Sequence, residues 1–169
     1  MSVDGTNRTA SRTLGVIRMP ERHITVQRLM AASPASVWAL YADFPNLAAH
    51  WHGLRGTRAI GHQTSGLGAR RRVDLKPFGS MEETVTTWEE GRRIDTRNHP
   101  SSLVPFNRAE TTLTLKPDGE GTFATFDYRY VPRGGPIGRL TGPLIDKMLT
   151  ASFTDMLAET ERVALGGDH

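Results

Sequence analysis

Between residues 51 and 131 the chain is cut into six short segments by turn signals: Gly61, Gly66 and Gly68, then KPFG, EEGR, HPSSLVP and KPDGEG. Short segments rich in Thr and Val, separated regularly by Gly, Pro, Asn and Asp, read as strands of an antiparallel meander. They fall at about 51–60, 69–76, 80–88, 92–98, 106–116 and 121–131. HITVQRLM at 23–30 is a seventh, with Ile24, Val26, Arg28 and Met30 on one face.

Two helical stretches flank this region. Ser33 is a natural N-cap with Pro34 at the first helical position, where a missing N–H costs nothing. Val37, Leu40 and Tyr41 follow at helical spacing, and Pro45 separates a second short helix, so 33–50 reads as a helical pair. At the other end, Leu140, Leu144, Ile145, Met148, Leu149, Phe153, Met156, Leu157 and Val163 recur at intervals of mostly three and four. That is the mark of one long amphipathic helix, begun near Pro136 and delayed or kinked at Pro143. It is expected to lie across the sheet with Met148 buried.

Residues 1–20 are polar and aperiodic, and read as a flexible N-terminal tail ahead of a single domain at 21–166. The chain has no cysteine, which excludes disulfides, thiolate metal sites and Cys nucleophiles. Its net charge of +3 is too small to argue for nucleic acid. No apolar run is long enough to span a membrane, and the N-terminus has no signal-peptide core, so a cytoplasmic protein is expected.

The triplet Arg70, Arg71 and Arg72 separates under strand alternation. Arg70, Arg72, Asp74 and Lys76 share one uniformly charged face, whereas Arg71 shares the other with Val73 and Leu75. The charged set belongs in water, so Arg71 points inward. A buried arginine needs a partner. If KPFG closes a hairpin, one register sets Leu75 opposite Met81 and Val73 opposite Glu83, with Arg71 diagonal to Glu83. The expected pair is Arg71–Glu83, either a structural ion pair or a ligand-orienting one. The same parity turns Thr87 inward with Glu83, and also Ile94, Thr96 and Asn98, then Asn107, Ala109, Thr111, Leu113 and Leu115, and finally Ala124, Phe126, Tyr128 and Tyr130. An apolar face with a few scattered hydrogen-bonding groups is what a small-molecule cavity needs.

The phrases ASPASVWALYADFPNLAAHW, GLGARRRVDL, GSMEETVTTWEEGRRI and PDGEGTFATF, and a final helix with F-x-x-x-L, occur in this order over residues 22–165. Together they resemble the START/SRPBCC superfamily, in its polyketide cyclase/dehydrase-like branch. The resemblance implies an α+β helix-grip fold. A seven-stranded antiparallel sheet would curve around a long C-terminal helix, with two short helices between strands 1 and 2. It also implies a cavity for a hydrophobic small molecule or a polyketide intermediate, with no cofactor and no integral membrane association, in a monomer or homodimer. In a cyclase, aromatase or dehydratase-like enzyme of this kind, Arg71 would polarise a carbonyl, and Tyr128 and His52 would move protons. Trp51 and His52 would sit at the cavity mouth. Glu83, Asn98, Asn107, Phe126, Tyr130, Met148, Ser152 and Met156 would contact the ligand. The alternative is a non-catalytic carrier of a lipid, quinone or antibiotic. HWH at 50–52 is the one close histidine pair and brings no further ligand spacing, so no metal site is expected.

Overall fold

The computed structural model describes residues 21–134 and 136–166; the tail expected at 1–20 lies outside them. Strand β1 (Arg22–Met30) leads into helix α1 (Pro34–Ala42) and a 3-10 helix (Phe44–Ala49). Six strands follow: β2 (Leu54–Ala59), β3 (Arg70–Leu75), β4 (Ser80–Glu89), β5 (Arg93–Pro100), β6 (Phe106–Asp118) and β7 (Gly121–Pro132). Helix α2 (Pro136–Ala164) ends the fold and continues through Pro143. All seven strands form one antiparallel sheet in the order β1-β7-β6-β5-β4-β3-β2. The expected helix-grip architecture is the one observed.

Local chemistry explains the turns between elements. Ser33 Oγ accepts from the Ser36 N–H at 3.2 Å and caps α1 behind Pro34. In the β3–β4 hairpin the Leu75 N–H donates to the Gly79 carbonyl at 3.0 Å, and Gly79 takes a φ of +92°, which a side chain would oppose. This closes the hairpin earlier than expected. Arg71 lies directly opposite Glu83 and Val73 opposite Met81, a shift of two residues that leaves every face assignment intact.

Bulges change faces elsewhere. Between Val85 and Thr87 the β4 register slips, so Thr87 pairs with Asp95 and Trp88 with the buried Ile94. Thr87 therefore leaves the inner face, and Trp88 packs edge-on against Trp38 at 5.2 Å. A second slip, between Phe106 and Arg108, drops Asn107 out of the ladder.

The core lies between the concave sheet and α2. Ile145, Phe153, Met156 and Leu157 of α2 are buried against it. The first part of the helical stripe is different: Leu140, Leu144 and Met148 are exposed, Met148 by 55%. The expected burial of Met148 fails because Leu140, Leu144 and Met148 share a side of α2 that the sheet does not cover. Ion pairs fasten the helix to the strands. Asp146 binds Arg22 of β1, and Glu161 accepts from both Arg28 and the Ala31 N–H.

Candidate ligand-binding cavity

A cavity of about 440 Å³ opens between the sheet and α2, a size suited to a small organic molecule. Its wall is mostly apolar. Phe153 reaches down from α2 to Phe126 at 4.7 Å and Tyr128 at 4.9 Å, with Trp51 tilted beside it at 6.3 Å. Phe78 of the β3–β4 loop, Leu103 of the β5–β6 loop and Met148 of α2 also line it, and all three are exposed. They form its outer rim.

The polar part of the wall is a pair of rows running across the strands. Arg71, Glu83 and Asn98 make one row by register, and Thr96, Thr111 and Tyr128 make the adjacent one. Arg71 and Glu83 are each 7% exposed. Arg71 Nη2 lies 2.5 Å from Glu83 Oε2, and Nε donates to the same oxygen at 2.7 Å. Nη1 donates to the Phe44 carbonyl at 2.6 Å, and the guanidinium stacks 4.0 Å above the Phe44 ring. The 3-10 helix thus clamps the arginine from one side while Glu83 holds it from the other.

Both tyrosine hydroxyls on the wall are held neutral. Burial pushes Tyr41 up to about 12, opposed by its hydrogen bond to Thr160 and by the charge of Arg71. Burial raises Tyr128 well above the ordinary phenol range, and the charges of Glu83 and Tyr130 add to that. At neutral pH these are hydrogen-bonding groups, not phenolates.

Residues 21–164 match the family described as polyketide cyclase / dehydrase and lipid transport. The chain belongs to that family. No curated protein matches it in sequence. Among solved structures it is similar to TTHA0849 from Thermus thermophilus, at 20% identity and a TM-score of 0.71, over 88% of this chain and 100% of that one. It is also similar to truncated norcoclaurine synthase from Thalictrum flavum, at 15% identity and a TM-score of 0.66, covering 88% and 96% of the two chains. The ginseng major latex-like protein 151 from Panax ginseng is similar at 11% identity and a TM-score of 0.66, covering 86% and 98%. At these identities the three share the fold with this member of the polyketide cyclase / dehydrase and lipid transport family.

Of the residues singled out in the sequence, Arg71, Tyr128, Trp51, Glu83, Phe126, Met148, Ser152 and Met156 line the cavity. Four do not. His52 stands outside on the surface, where its Nδ1 contacts Glu159 Oε1 at 3.0 Å and its backbone N–H donates to Glu159 Oε2 at 2.7 Å. Asn107 faces solvent because of the β6 bulge and accepts from Arg133 Nε at 3.0 Å. Tyr130 is buried behind the wall and donates to Asp146 Oδ1 at 2.8 Å, so it anchors α2. Asn98 is fully buried and sits just behind the lining, accepting from Thr96 Oγ1 at 2.7 Å.

Several lining groups were missed. Tyr41 and Leu47 come from the helical pair, and Phe78 and Leu103 from turns. Strand parity carries no information about turns. The signal that could have found them is an aromatic or leucine in a loop flanked by prolines, as in KPFG and SLVP. Among the described residues no group of three or more His, Cys, Asp or Glu side chains comes together, and no helix is long and apolar enough to cross a membrane.

Proposed function

We propose that the protein is a carrier that encloses an apolar small molecule between sheet and helix and performs no chemistry on it. The observation that carries this reading is the state of the polar wall. The Arg71 guanidinium is already held by Glu83 and by the Phe44 carbonyl. The lining tyrosines are neutral donors, and the histidine that could have moved a proton lies outside the cavity. General acid–base work needs a group poised to exchange its proton near neutral pH and within reach of the substrate. The wall offers binding groups instead: an apolar surface that drives burial and a few donors that set orientation.

A cyclase or aromatase reading is favoured by one feature, the placement of Arg71 and Tyr128 on the same wall. Two donors facing one cavity could polarise a carbonyl of a folded polyketide intermediate. Native mass spectrometry of the purified protein separates the two readings. A small molecule retained on purification, and recovered unchanged after prolonged incubation with excess protein, supports the carrier. Recovery of a dehydrated or cyclised product supports the enzyme.

A further inference from the structure

Among the described residues eight large apolar side chains stand in solvent, and five of them meet at one place. Phe78, Leu103 and Met148 ring the cavity mouth, from the β3–β4 turn, the β5–β6 turn and α2. Leu144 and Leu140 continue the patch along α2, one and two turns before Met148 on the same side of the helix. The other three, Leu29, Leu67 and Leu165, stand on separate segments, and singly exposed leucines are ordinary. A contiguous apolar patch is not, and marks a surface that something covers.

The patch is edged by cations. Lys76 lines the mouth itself, and its Nζ donates to the His52 carbonyl at 2.6 Å. Arg55 Nη2 reaches the carbonyl of Gly79, next to Phe78, at 3.4 Å. Arg133 Nη1 donates to the carbonyl of Ser102, next to Leu103, at 2.6 Å. Lys147 precedes Met148 on α2 and is exposed. None of these four cations forms an ion pair with a described carboxylate. The neighbouring acids are already engaged: Asp146 holds Arg22, Glu159 holds His52, and Asp74 holds Arg58 and Arg72. Asp155, the exposed acid left on α2, lies about 10 Å beyond Met148, on the side away from Leu140.

We propose that this face docks on a bilayer that carries anionic lipids, with the apolar tips entering the headgroup layer and Lys76, Arg55, Arg133 and Lys147 meeting lipid phosphates around them. An apolar centre with an unpaired cationic edge is complementary to such an interface, where hydrocarbon lies beneath a sheet of negative charge. A folded protein partner would have to match three separate protrusions in shape, whereas a fluid headgroup layer takes them as they stand. The docking is peripheral, since no described helix is long and apolar enough to cross a membrane. It turns the cavity mouth toward the hydrocarbon boundary, so an apolar ligand can pass between bilayer and cavity without crossing water. That purpose rests on the carrier reading; the docking itself does not.

The test floats the full chain with vesicles of phosphatidylcholine alone and with vesicles of phosphatidylcholine and phosphatidylglycerol. Binding is expected to be roughly tenfold tighter on the mixed vesicles at low salt, and to weaken at high salt. No binding to the mixed vesicles, or equal binding to both, overturns the proposal. Two variants locate the contact: Leu140→Ser with Leu144→Ser, and Lys147→Gln. All three side chains lie in solvent and outside the cavity lining, so the fold is expected to hold. The leucine variant should weaken vesicle binding roughly tenfold and the lysine variant roughly fivefold. Unchanged binding in both puts the contact elsewhere and overturns the proposal. A dimer of the full chain in sedimentation equilibrium, abolished by the leucine variant, shows that a second copy covers this face and also overturns it.

Binding of a neutral apolar dye in vesicle-free buffer reads the cavity separately. Dye binding without vesicle binding overturns the docking and leaves the carrier reading in place. Vesicle binding without dye binding supports the docking and overturns the carrier reading.

Discussion

Arg71 and Glu83 face each other across β3 and β4 with their charges 2.5 Å apart, inside a wall where almost everything else is apolar. Neither group can lose its partner without leaving a charge in a poorly solvated place. Arg71→Ala is therefore expected to destabilise the protein by about 3–5 kcal/mol. The double variant Arg71→Ala with Glu83→Gln should recover part of that loss, because the remaining side chain is neutral. Arg70 and Arg72 are partly exposed and pair across the outer face with Glu82 and Asp74, so Arg70→Ala and Arg72→Ala should each stay within about 0.5 kcal/mol of the parent. Urea melts of the four variants check the ranking. Equal losses from Arg70→Ala and Arg71→Ala would refute the separation of faces.

Arg71 also marks how far the sequence could be read. Its inward direction follows from parity alone, because its neighbours on both sides carry charge while Val73 and Leu75 do not. A two-residue error in the hairpin register left that conclusion untouched, since side chains alternate with period two. Asn107 fails for the complementary reason. One extra residue in β6 reverses its face, and nothing in FNRAE distinguishes a bulge from a regular strand. Parity turns Tyr130 inward, and it is buried there, but its acceptor Asp146 belongs to another element. No local pattern says that α2 brings a carboxylate there. Met148 shows the limit for helices: three-four spacing names the apolar side of α2 but not where the sheet stops covering it.

The Arg22–Asp146 contact makes acid stability predictable in sign. The Arg22 guanidinium holds the Asp146 carboxyl below the ordinary carboxylate range, against the opposing effect of burial, with Tyr130 adding to the hold. A carboxyl with a depressed folded-state pKa contributes stability that is fully present above its unfolded value, about 3.9, and is lost as pH falls through the lower folded value. Glu161 behaves the same way, held down chiefly by the Ala31 N–H and then by Arg28. The melting temperature should be flat from pH 7 to about 5 and fall below about pH 4. Asp146→Asn should lower it at pH 7 and flatten part of the acid slope. An acid slope identical to the parent's would show that this contact carries none of it.

His52 is expected to be dispensable for whatever occupies the cavity. Its ring is 65% exposed and faces Glu159 on the outside of α2. Removing the ring also spares the His52 backbone N–H, which makes its own bond to Glu159. His52→Ala should therefore cost no more than about 1 kcal/mol, the scale of an exposed pair. Binding of a neutral apolar dye should be unchanged. A loss of dye affinity beyond about tenfold would place the imidazole in contact with the ligand and would return it to the set of reactive groups.

Phe153 and Met148 both reach the cavity from α2, and the cavity treats them differently. Phe153 is 6% exposed and wedged among Phe126, Tyr128 and Trp51. Met148 also lines the cavity, yet more than half of it is in water at the rim. Truncating the first removes a buried ring whose neighbours Phe126 and Tyr128 are held on β7 and do not collapse into the gap. Phe153→Ala should therefore destabilise by about 3 kcal/mol, the lower end of the range for a core phenylalanine, because the site already borders empty space. Met148→Ala, and even Met148→Asp, should stay within about 1 kcal/mol, since neither creates a void nor buries a charge. The order should reverse in binding. Met148→Asp puts a carboxylate beside the apolar entrance and should slow uptake of a neutral dye, whereas Phe153→Ala enlarges the cavity and should admit a bulkier one. Thermal melts and stopped-flow dye uptake on the same preparations read both quantities. If Met148→Asp unfolds the protein, the rim is part of the core, and the entrance lies elsewhere.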